Sequence, residues 1–400
     1  MKEVIKSCVS KLRNKKLGIC FFSSYPPREC GIATFTSALK NAVKKNLPDL
    51  IFKIVAVEEP NKKRKYSSRV IKTVNQDKKE DYIEAAEIIN NDSEIDIVSL
   101  QHVFSLFGGK DGSLILEFLK KLKKPCVTTM HMVYSQKKKP HEFEIVEMNY
   151  IDITREIAKY SKKIVVIIQP VADLLISEYK VLKEKVVVIP HGLPRVRKQD
   201  PEFYKEKLNF KNKKIISTFG LIRDKKGLEY VLYAMPKILI KYPETIYLIL
   251  GEVHPLRPRK YYNFLKEEVK RLKLEKNVIF YEQYLSYKEI IRYLLVSDIF
   301  ITPYLVPEQT SSGVVAYALG CGKAIISTKF LYAEETLNNG RGILIDFKNA
   351  NQIFKAVDYL FSHSKQKKKI EEKAYYYGQT MIWEEVASKY VKLFFKIIRK

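Results

Sequence analysis

The sequence predicts an α/β protein made of two doubly wound halves. Short apolar runs rich in β-branched residues alternate with helical segments along most of the chain, as expected for buried parallel strands joined by crossover helices. A polar stretch from Arg195 to Lys207 interrupts the alternation, which restarts at Lys214. Polar and charged side chains follow the ends of several strands, where doubly wound sheets bind their ligands.

The chain is long enough for two domains. Its 400 residues, 46% of them hydrophobic, can build two cores of ordinary size. We expect residues 1–195 to form the first domain and residues 196–375 the second, with the polar stretch as the linker. Residues 376–400 are expected to form a C-terminal helix, in which Trp383, Val386, Tyr390 and Phe394 have the spacing to bury one face.

Composition indicates a cytoplasmic protein. No apolar run is long enough to span a membrane, and Lys or Arg interrupts the N-terminal stretch too often for a signal peptide. The five cysteines are scattered without zinc spacing, which indicates reduced thiols.

The net charge of +27 has three interpretations. It reflects a lysine-rich composition, attraction to an anionic membrane surface, or binding to nucleic acid. No nucleic-acid-binding motif accompanies the cations, so we expect no nucleic-acid partner. Residues 2–13 have apolar residues at helical spacing between lysines, which fits either an interfacial helix or a lead-in helix packed on the protein.

The most informative stretch runs from Ile299 to Thr328. Ile299 to Thr302 reads as a buried strand, and Glu308 follows it in a loop. Ser312 and Gly313 are suited to the start of the next helix, whose free N–H groups would face a phosphate or sugar oxygen. The pattern predicts a ligand site at the end of this strand.

The stretch from Gly220 to Gly227, G-L-I-R-D-K-K-G, stands at the same place in its own strand–helix unit. Arg223 and Lys226 would place two cations at the start of the helix that follows. A surface turn lysine is the alternative for Lys226. Glu335, near the start of a later helix, is either a ligand contact or a carboxylate favoured by the helix dipole.

Two further features lie in the first half. Gly31 opens a helix after the first strand, where backbone would approach a phosphate closely; a tight turn is the alternative. His102 and His131 follow two strands of one sheet and are expected at one edge of it. No third ligand has a suggestive position, so we expect no metal site.

Several of these strings resemble retaining glycosyltransferases of family 4, which have the GT-B fold. The matching strings are P-E-Q-x-x-S-G followed by A-Y-A-L-G, Y-A-E-E at Tyr332 to Glu335, and Y-P-P-R-E-C-G-I-A-T-F-T in the first loop. Together they look like a mannosyltransferase-like branch. The family has a second Glu, which usually holds the nucleotide ribose, where this chain has Ala316.

The resemblance implies two Rossmann-like domains facing across a cleft, with a C-terminal helix that returns to the first. It implies metal-independent, cofactor-free, retaining transfer of a hexosyl group from a nucleotide sugar to a glycan or glycolipid hydroxyl. The branch implies GDP-mannose as donor, with UDP-glucose or another nucleotide hexose as first alternative. Polysaccharide biosynthesis, in the cytoplasm or at the inner face of the cell membrane, is the implied setting.

The resemblance also assigns roles. Glu308 would orient the sugar hydroxyls, and His131 would bind near the anomeric centre. The diphosphate would be held by Arg223, Lys226 and the Gly31 backbone, with Ser312, Gly313 and Glu335 as further donor contacts. On the acceptor side the resemblance places His102 and Arg28. For Arg28, a solvated loop cation is the alternative.

Two other classes of function stand beside this one. One is a GT-B fold epimerase that acts on the nucleotide sugar without transfer. The other is a non-catalytic basic protein that binds a membrane or a polysaccharide, which the missing second Glu favours.

Overall fold

The computed structural model describes residues 16–136, 150–197, 200–253 and 259–399. The helix expected over residues 2–13 lies outside these residues. The backbone divides into two compact units: one runs to Gly192 and resumes at Trp383, and the other is Leu193–Ile382.

A parallel sheet of seven strands forms the centre of the first unit, in the order β3-β2-β1-β4-β5-β6-β7. The strands are β1 (Gly18–Ser23), β2 (Ile51–Glu58), β3 (Val70–Asn75), β4 (Ile97–His102), β5 (Cys126–Met130), β6 (Lys163–Val166) and β7 (Val186–Val188). The helices before Gly192 are α1 (Gly31–Asn46), α2 (Lys79–Asn91), α3 (Ile115–Lys121), α4 (Tyr150–Tyr160) and α5 (Gln169–Ser177). Short 3-10 turns occur at Phe104–Leu106, Lys110–Gly112 and Lys183–Lys185.

The second unit has a parallel sheet of six strands, in the order β10-β9-β8-β11-β12-β13. The strands are β8 (Lys214–Phe219), β9 (Thr245–Leu250), β10 (Val278–Tyr281), β11 (Ile299–Thr302), β12 (Ala324–Thr328) and β13 (Ile343–Ile345). The helices are α6 (Pro201–Lys207), α7 (Leu228–Lys241), α8 (Lys260–Arg271), α9 (Tyr287–Val296), α10 (Gly313–Gly320), α11 (Leu331–Leu337), α12 (Ala350–Ser362) and α13 (Ser364–Gln379). Both sheets confirm the predicted doubly wound α/β class.

The polar stretch that we expected to be a linker is partly helical. Residues 201–207 form α6, and the Asp200 side chain caps it by accepting a hydrogen bond from the Glu202 N–H at 3.0 Å. Pro201 stands in the first turn, where its missing N–H costs no helical hydrogen bond. The capping residues Asp200 and Pro201 therefore indicate a helix where the polar composition indicates a linker, and the helix forms. Helix α6 belongs to the second unit.

The C-terminal region forms two helices where we expected one. Helix α13 ends at Gln379, and the last helix, α14 (Trp383–Ile398), belongs to the first unit. The chain leaves the helix between them because Met381 and Ile382 are buried against Leu193, whose N–H donates to the Met381 carbonyl at 2.9 Å.

Helix α14 buries the face that its spacing predicts. Trp383, Val386, Tyr390 and Phe394 all lie in the core of the first unit. The Tyr390 hydroxyl also forms a hydrogen bond of 2.9 Å with Thr129 of β5. None of the described helices combines the length and the apolar character needed to cross a bilayer.

Candidate functional site

Two loops of the second unit lie side by side because they follow neighbouring strands, β8 and β11. The Leu305 N–H donates to the Lys225 carbonyl at 2.9 Å. A Cβ on Gly227 would stand 2.1 Å from the Pro303 carbonyl oxygen, and Gly227 has a φ of +64°. Only glycine fits both conditions, so the close approach of the two loops depends on this residue.

Lys226 stands at the junction of these loops. Its ammonium lies 3.7 Å from the centroid of the Tyr304 ring. A Cβ on Gly220 would lie 3.7 Å from both the Lys226 Nζ and the Val314 Cγ2. The cation therefore borders a glycine turn and the first turn of α10, and its side chain is half-buried where the alternative assumed a surface lysine.

Arg223 brings a second positive charge to this place. Tyr304 is only 1% exposed, and burial raises the pKa of its hydroxyl while the charge of Arg223 acts in the opposite direction. The guanidinium is therefore close enough to Tyr304 to act on it electrostatically. The ammonium of Lys226 lies over the Tyr304 ring, and the charge of Arg223 acts on the Tyr304 hydroxyl.

Helix α10 begins where we expected. Ser312 is its N-cap, and the Ser312 Oγ accepts a hydrogen bond from the Val315 N–H at 3.3 Å. Gly313 is the first helical residue. The first turn of the helix therefore has its N-terminal N–H groups at the same edge of the sheet as the loop that follows β8.

Glu308 lies in the loop between β11 and α10, and it is 8% exposed. The backbone on both sides of it is fixed by the start of α11: the Pro307 carbonyl accepts from the Leu331 N–H at 3.0 Å, and the Gln309 carbonyl accepts from the Tyr332 N–H at 3.1 Å. The loop that carries the Glu308 carboxylate is therefore held in place by hydrogen bonds to the start of α11.

Ala316, which stands where the resembling family has its second Glu, lies on α10. It is completely buried in a small apolar cluster with Leu193, Met381 and Ile382. A carboxylate at this position would lose its hydration without gaining a cation, which is costly. The replacement of the family Glu by Ala therefore agrees with the local packing.

Glu335 lies on α11, and its electrostatic neighbours are residues from further along the chain. Its backbone carbonyl accepts from the Arg341 Nη2 at 3.0 Å. Burial raises the pKa of the Tyr377 hydroxyl, the nearby Arg341 charge lowers it, and the Glu335 charge raises it. Glu335 thus binds Arg341 through its backbone carbonyl, and its charge acts on the Tyr377 hydroxyl.

Gly31 begins α1 in the first unit, directly after the loop that follows β1. A Cβ on Gly31 would meet no atom within 4 Å, so space in front of this helix start is open. Cys30 is the N-cap, and its Sγ accepts a hydrogen bond from the Ala33 N–H at 3.4 Å. The space beside Gly31 is therefore open, and the phosphate contact at this backbone stays a prediction.

Arg28 holds the same loop against β2. Its Nη1 donates to the Val57 carbonyl at 3.0 Å, and its Nη2 lies 3.9 Å from the Glu59 Oε1. The Arg28 side chain is 11% exposed, so the alternative of a solvated loop cation is wrong. Two partners at the end of one strand remove this guanidinium from water and orient it.

His102 is the last residue of β4 and is completely buried. Its ring stacks on Phe107 at 5.5 Å and meets Phe104 edge-on at 4.9 Å. Burial lowers the pKa of the imidazole to about 3. Neither ring nitrogen has a hydrogen-bond partner among the residues that the structure describes.

His131 follows β5 and lies beside His102, because its N–H donates to the His102 carbonyl at 2.9 Å. The Nε2 of His131 lies 3.0 Å from the Gln101 Oε1 and donates to it. Burial, together with the neighbouring His191 and His102, lowers the pKa of His131 to about 3. The two histidines that the sequence singles out are therefore together and neutral at pH 7.

The third histidine of this group, His191, is one that we did not predict as a site residue. Its ring and that of His131 both meet Phe35 edge-on, at 5.2 Å and 4.7 Å. Its Nδ1 donates to the Gly192 carbonyl at 2.7 Å, and burial lowers its pKa to about 4. The available signal was its position just after β7, equivalent to those of the other two. Within the described ranges, no group of three His, Cys, Asp or Glu side chains is placed to hold a metal ion.

Comparison with known families gives this arrangement its context. Residues 76–197 match the family described as Glycosyltransferase Family 4, and residues 200–376 match the family described as Glycosyl transferases group 1. The chain is a member of the glycosyltransferases. Among curated proteins, this glycosyltransferase is similar to Spore coat protein SA of Bacillus subtilis (strain 168), with 24% identity over 204 residues, or 49% of this chain. The match spans about half of that relative, 52% of its length.

Solved structures show the fold of this glycosyltransferase. Sucrose-phosphate synthase from Thermosynechococcus elongatus matches 96% of this chain and 100% of its own, with a TM-score of 0.77 and 15% identity. A glycosyltransferase from Rickettsia africae matches 97% and 99%, with a TM-score of 0.73 and 21% identity. Anabaena HepE in complex with UDP matches 94% and 99%, with a TM-score of 0.73 and 13% identity. The fold is GT-B, with two Rossmann-like α/β domains, as the sequence predicts.

Proposed function

We propose that this chain transfers a hexosyl group from a nucleotide sugar to a glycan or glycolipid hydroxyl, with retention and without a metal. The observation that carries the proposal is the position of Lys226. Its ammonium borders the Gly220 turn and the first turn of α10, and the charge of Arg223 acts on the hydroxyl of Tyr304, over whose ring Lys226 lies. Such a place suits the diphosphate of a nucleotide sugar.

The chemistry of transfer gives these cations a role. The leaving nucleoside diphosphate gains negative charge as the bond from the anomeric carbon to the phosphate oxygen breaks. Cations already fixed by the protein stabilise this charge without reorganisation, so they lower the energy of the transition state more than that of the ground state. The N-terminal N–H groups of α10, near Ser312 and Gly313, add a partial positive charge.

Glu308 and His131 are proposed to act on the sugar. Glu308 orients its hydroxyls, and His131 binds near the anomeric centre. Glycosyl transfer passes through a transition state with positive charge on the sugar ring. Because burial lowers its pKa to about 3, the His131 imidazole is neutral at pH 7 and does not repel that charge. Gln101 fixes the orientation of the ring by accepting from its Nε2 at 3.0 Å.

Two donors compete within this proposal. The mannosyltransferase-like strings favour GDP-mannose, whereas UDP is named in the Anabaena HepE structures and favours a UDP-hexose. Ala316 supplies no ribose contact, so the remaining base and phosphate contacts decide between them. The proposed place of action is the cytoplasm, with the acceptor presented at the inner face of the cell membrane.

A thermal-shift experiment tests the proposal without an acceptor. A ligand that binds only the folded state stabilises it by about 2.7 kcal/mol at roughly a hundredfold excess over Kd. For domains of this size, that raises Tm by several degrees. We expect GDP to give the largest shift among GDP, UDP, ADP and dTDP; a larger shift with UDP would replace GDP-mannose by a UDP-hexose.

Lys226→Ala should abolish most of this shift, because the β-phosphate loses its cation. Lys237→Ala, which removes an exposed lysine from α7, is the matched control and should keep the shift. No shift with any nucleotide in a folded wild-type sample would overturn the proposal. Incubation of the donor without acceptor separates the epimerase alternative, since an epimerase converts the donor sugar under those conditions.

A further inference from the structure

We propose that Tyr304 is a positioning residue for the proposed reaction: its ring holds the Lys226 ammonium at the diphosphate. The inference rests on the proposed function and adds a residue that none of the sequence patterns singles out. Tyr304 follows β11 and Lys226 precedes α7, so the two come from different strand–helix units. The Nζ of Lys226 lies 3.7 Å from the centroid of the ring, within the range of a cation–π interaction.

The ring itself is rigid. Tyr304 is 1% exposed, and its ring stacks on Phe330 at 5.4 Å with an interplanar angle of 23°. The Tyr304 carbonyl accepts a hydrogen bond from the Thr328 Oγ1 at 2.6 Å. Both the backbone and the side chain of Tyr304 are therefore fixed before any ligand arrives.

The backbones on both sides of the pair are joined. Leu305, which follows Tyr304, donates to the carbonyl of Lys225, which precedes Lys226, at 2.9 Å. Pro303, which precedes Tyr304, has its carbonyl oxygen 2.1 Å from where a Cβ on Gly227 would stand. Movement of the loops can separate the ring from the ammonium only if this hydrogen bond and the close approach of Gly227 to Pro303 are lost.

This arrangement has a consequence for binding. A lysine side chain has many rotamers in solution, and ordering it on a ligand reduces the affinity. The ring of Tyr304 restricts those rotamers in advance through the negative charge on its face.

The hydroxyl of Tyr304 plays no part in this role. It is buried, and it has no hydrogen-bond partner among the described residues. Tyr304→Phe therefore retains the ring and removes a hydroxyl whose burial is costly. Tyr304→Leu and Tyr304→Met remove the ring and keep an apolar side chain, and two such variants guard against one that fails to fold.

The experiment measures the Kd of a nucleoside diphosphate and of the corresponding monophosphate by calorimetric titration, with GDP and UDP as probes. We expect Tyr304→Leu and Tyr304→Met to weaken diphosphate binding about five- to thirtyfold. Monophosphate binding should stay within about twofold of wild type, because the proposed contact of Lys226 is the β-phosphate. Tyr304→Phe should stay within about threefold for both ligands. Equal weakening of both ligands would indicate general damage to the site and overturn the proposal.

A double-mutant cycle checks that Tyr304 acts through Lys226. In the Lys226→Ala background, Tyr304→Leu should cause no further loss of diphosphate affinity. Phe203→Leu is the matched control, because it removes another ring with a lysine ammonium over it, that of Lys207 at 4.1 Å, and leaves the Lys226 loop intact. Additive losses in the cycle, or wild-type diphosphate affinity in Tyr304→Leu, would overturn the inference alone. Absence of nucleotide binding in the wild type would overturn the proposed function and this inference with it.

Discussion

Trp383 packs its indole against the backbone of Gly192. A Cβ on Gly192 would stand 2.1 Å from the indole ring, so the contact requires glycine. The same ring meets Phe35 of α1 edge-on at 5.1 Å and lies 6.1 Å from the ring of His191. The start of α14 thus lies beside His191, one of the three buried histidines of the first unit.

Gly192→Ala should destabilise the protein. The added methyl forces the indole or the backbone to move, and overpacking of this kind typically costs about 1–3 kcal/mol. We expect a lower Tm, measured by calorimetry. Gly31→Ala is the matched control for stability, because a Cβ there meets no atom within 4 Å. A Tm for Gly192→Ala equal to that of the control would contradict the packing.

Glu308→Gln should reduce turnover by about two to three orders of magnitude, the usual loss for one preorganised polar contact. The substitution keeps the shape of the side chain and removes its charge, so the affinity for nucleoside diphosphate should change little. Steady-state kinetics and titration separate the two effects. Glu334→Gln, an exposed carboxylate on α11, is the control and should retain wild-type turnover. Near wild-type turnover in Glu308→Gln would refute its role.

Stability should fall as the pH drops below about 6.5. The folded-state pKa values of His102 and His131 are about 3 and that of His191 is about 4, all below the ordinary value of 6.5. Below pH 6.5 the unfolded chain takes up protons that the folded chain does not, so the free energy of unfolding decreases as the pH falls. Each histidine contributes up to about 1.4 kcal/mol per pH unit.

His102→Phe tests this dependence. Phenylalanine keeps a ring against Phe104 and Phe107 and cannot take up a proton, so the fall in Tm between pH 6.5 and 5.5 should be smaller than in the wild type. Carboxylates change charge mainly below this range. An unchanged slope in a folded variant would mean that His102 is protonated in the folded state.

Activity should survive excess EDTA, because in the proposed site Lys226 and Arg223 supply the positive charge that the diphosphate needs. The measurement is turnover in the presence of EDTA, followed by addition of Mg²⁺ or Mn²⁺. Complete loss with EDTA and recovery with either metal would contradict the proposed way of binding the diphosphate.

The charge of +27 should give salt-dependent binding to membranes if the acceptor lies in one. We expect the protein to sediment with vesicles that contain anionic lipid at low salt and to be released at high salt, where screening is stronger. Vesicles of neutral lipid are the control. Equal binding to both kinds of vesicle, or to neither, would show that the positive charge reflects a lysine-rich composition and not attraction to an anionic membrane.

Buried strands were the easiest elements to predict. Strand β11 has the bounds Ile299–Thr302 that its apolar run predicts, because a strand covered on both faces needs a continuous apolar segment. Strand β8 begins at Lys214, where the alternation is expected to restart. The edge strand β3 was missed, since its Lys72 and Thr73 break the apolar run. An edge strand pairs with a single neighbouring strand and is more exposed to water, so it tolerates polar residues.

Some features of the candidate site can be predicted from the sequence, and others depend on the tertiary structure. The strand–loop–helix units, the glycines at their turns and the cations beside them are encoded within a few consecutive residues, so the sequence alone places Lys226, Glu308 and His131 after strand ends. Which loops become neighbours depends on the order of strands in the sheet, and β8 pairs with β11 although two strands intervene along the chain. That pairing alone sets Lys226 over Tyr304. Long-range packing likewise buries Arg28 against Val57 and Glu59, because contacts between distant segments leave no periodic signal in the chain.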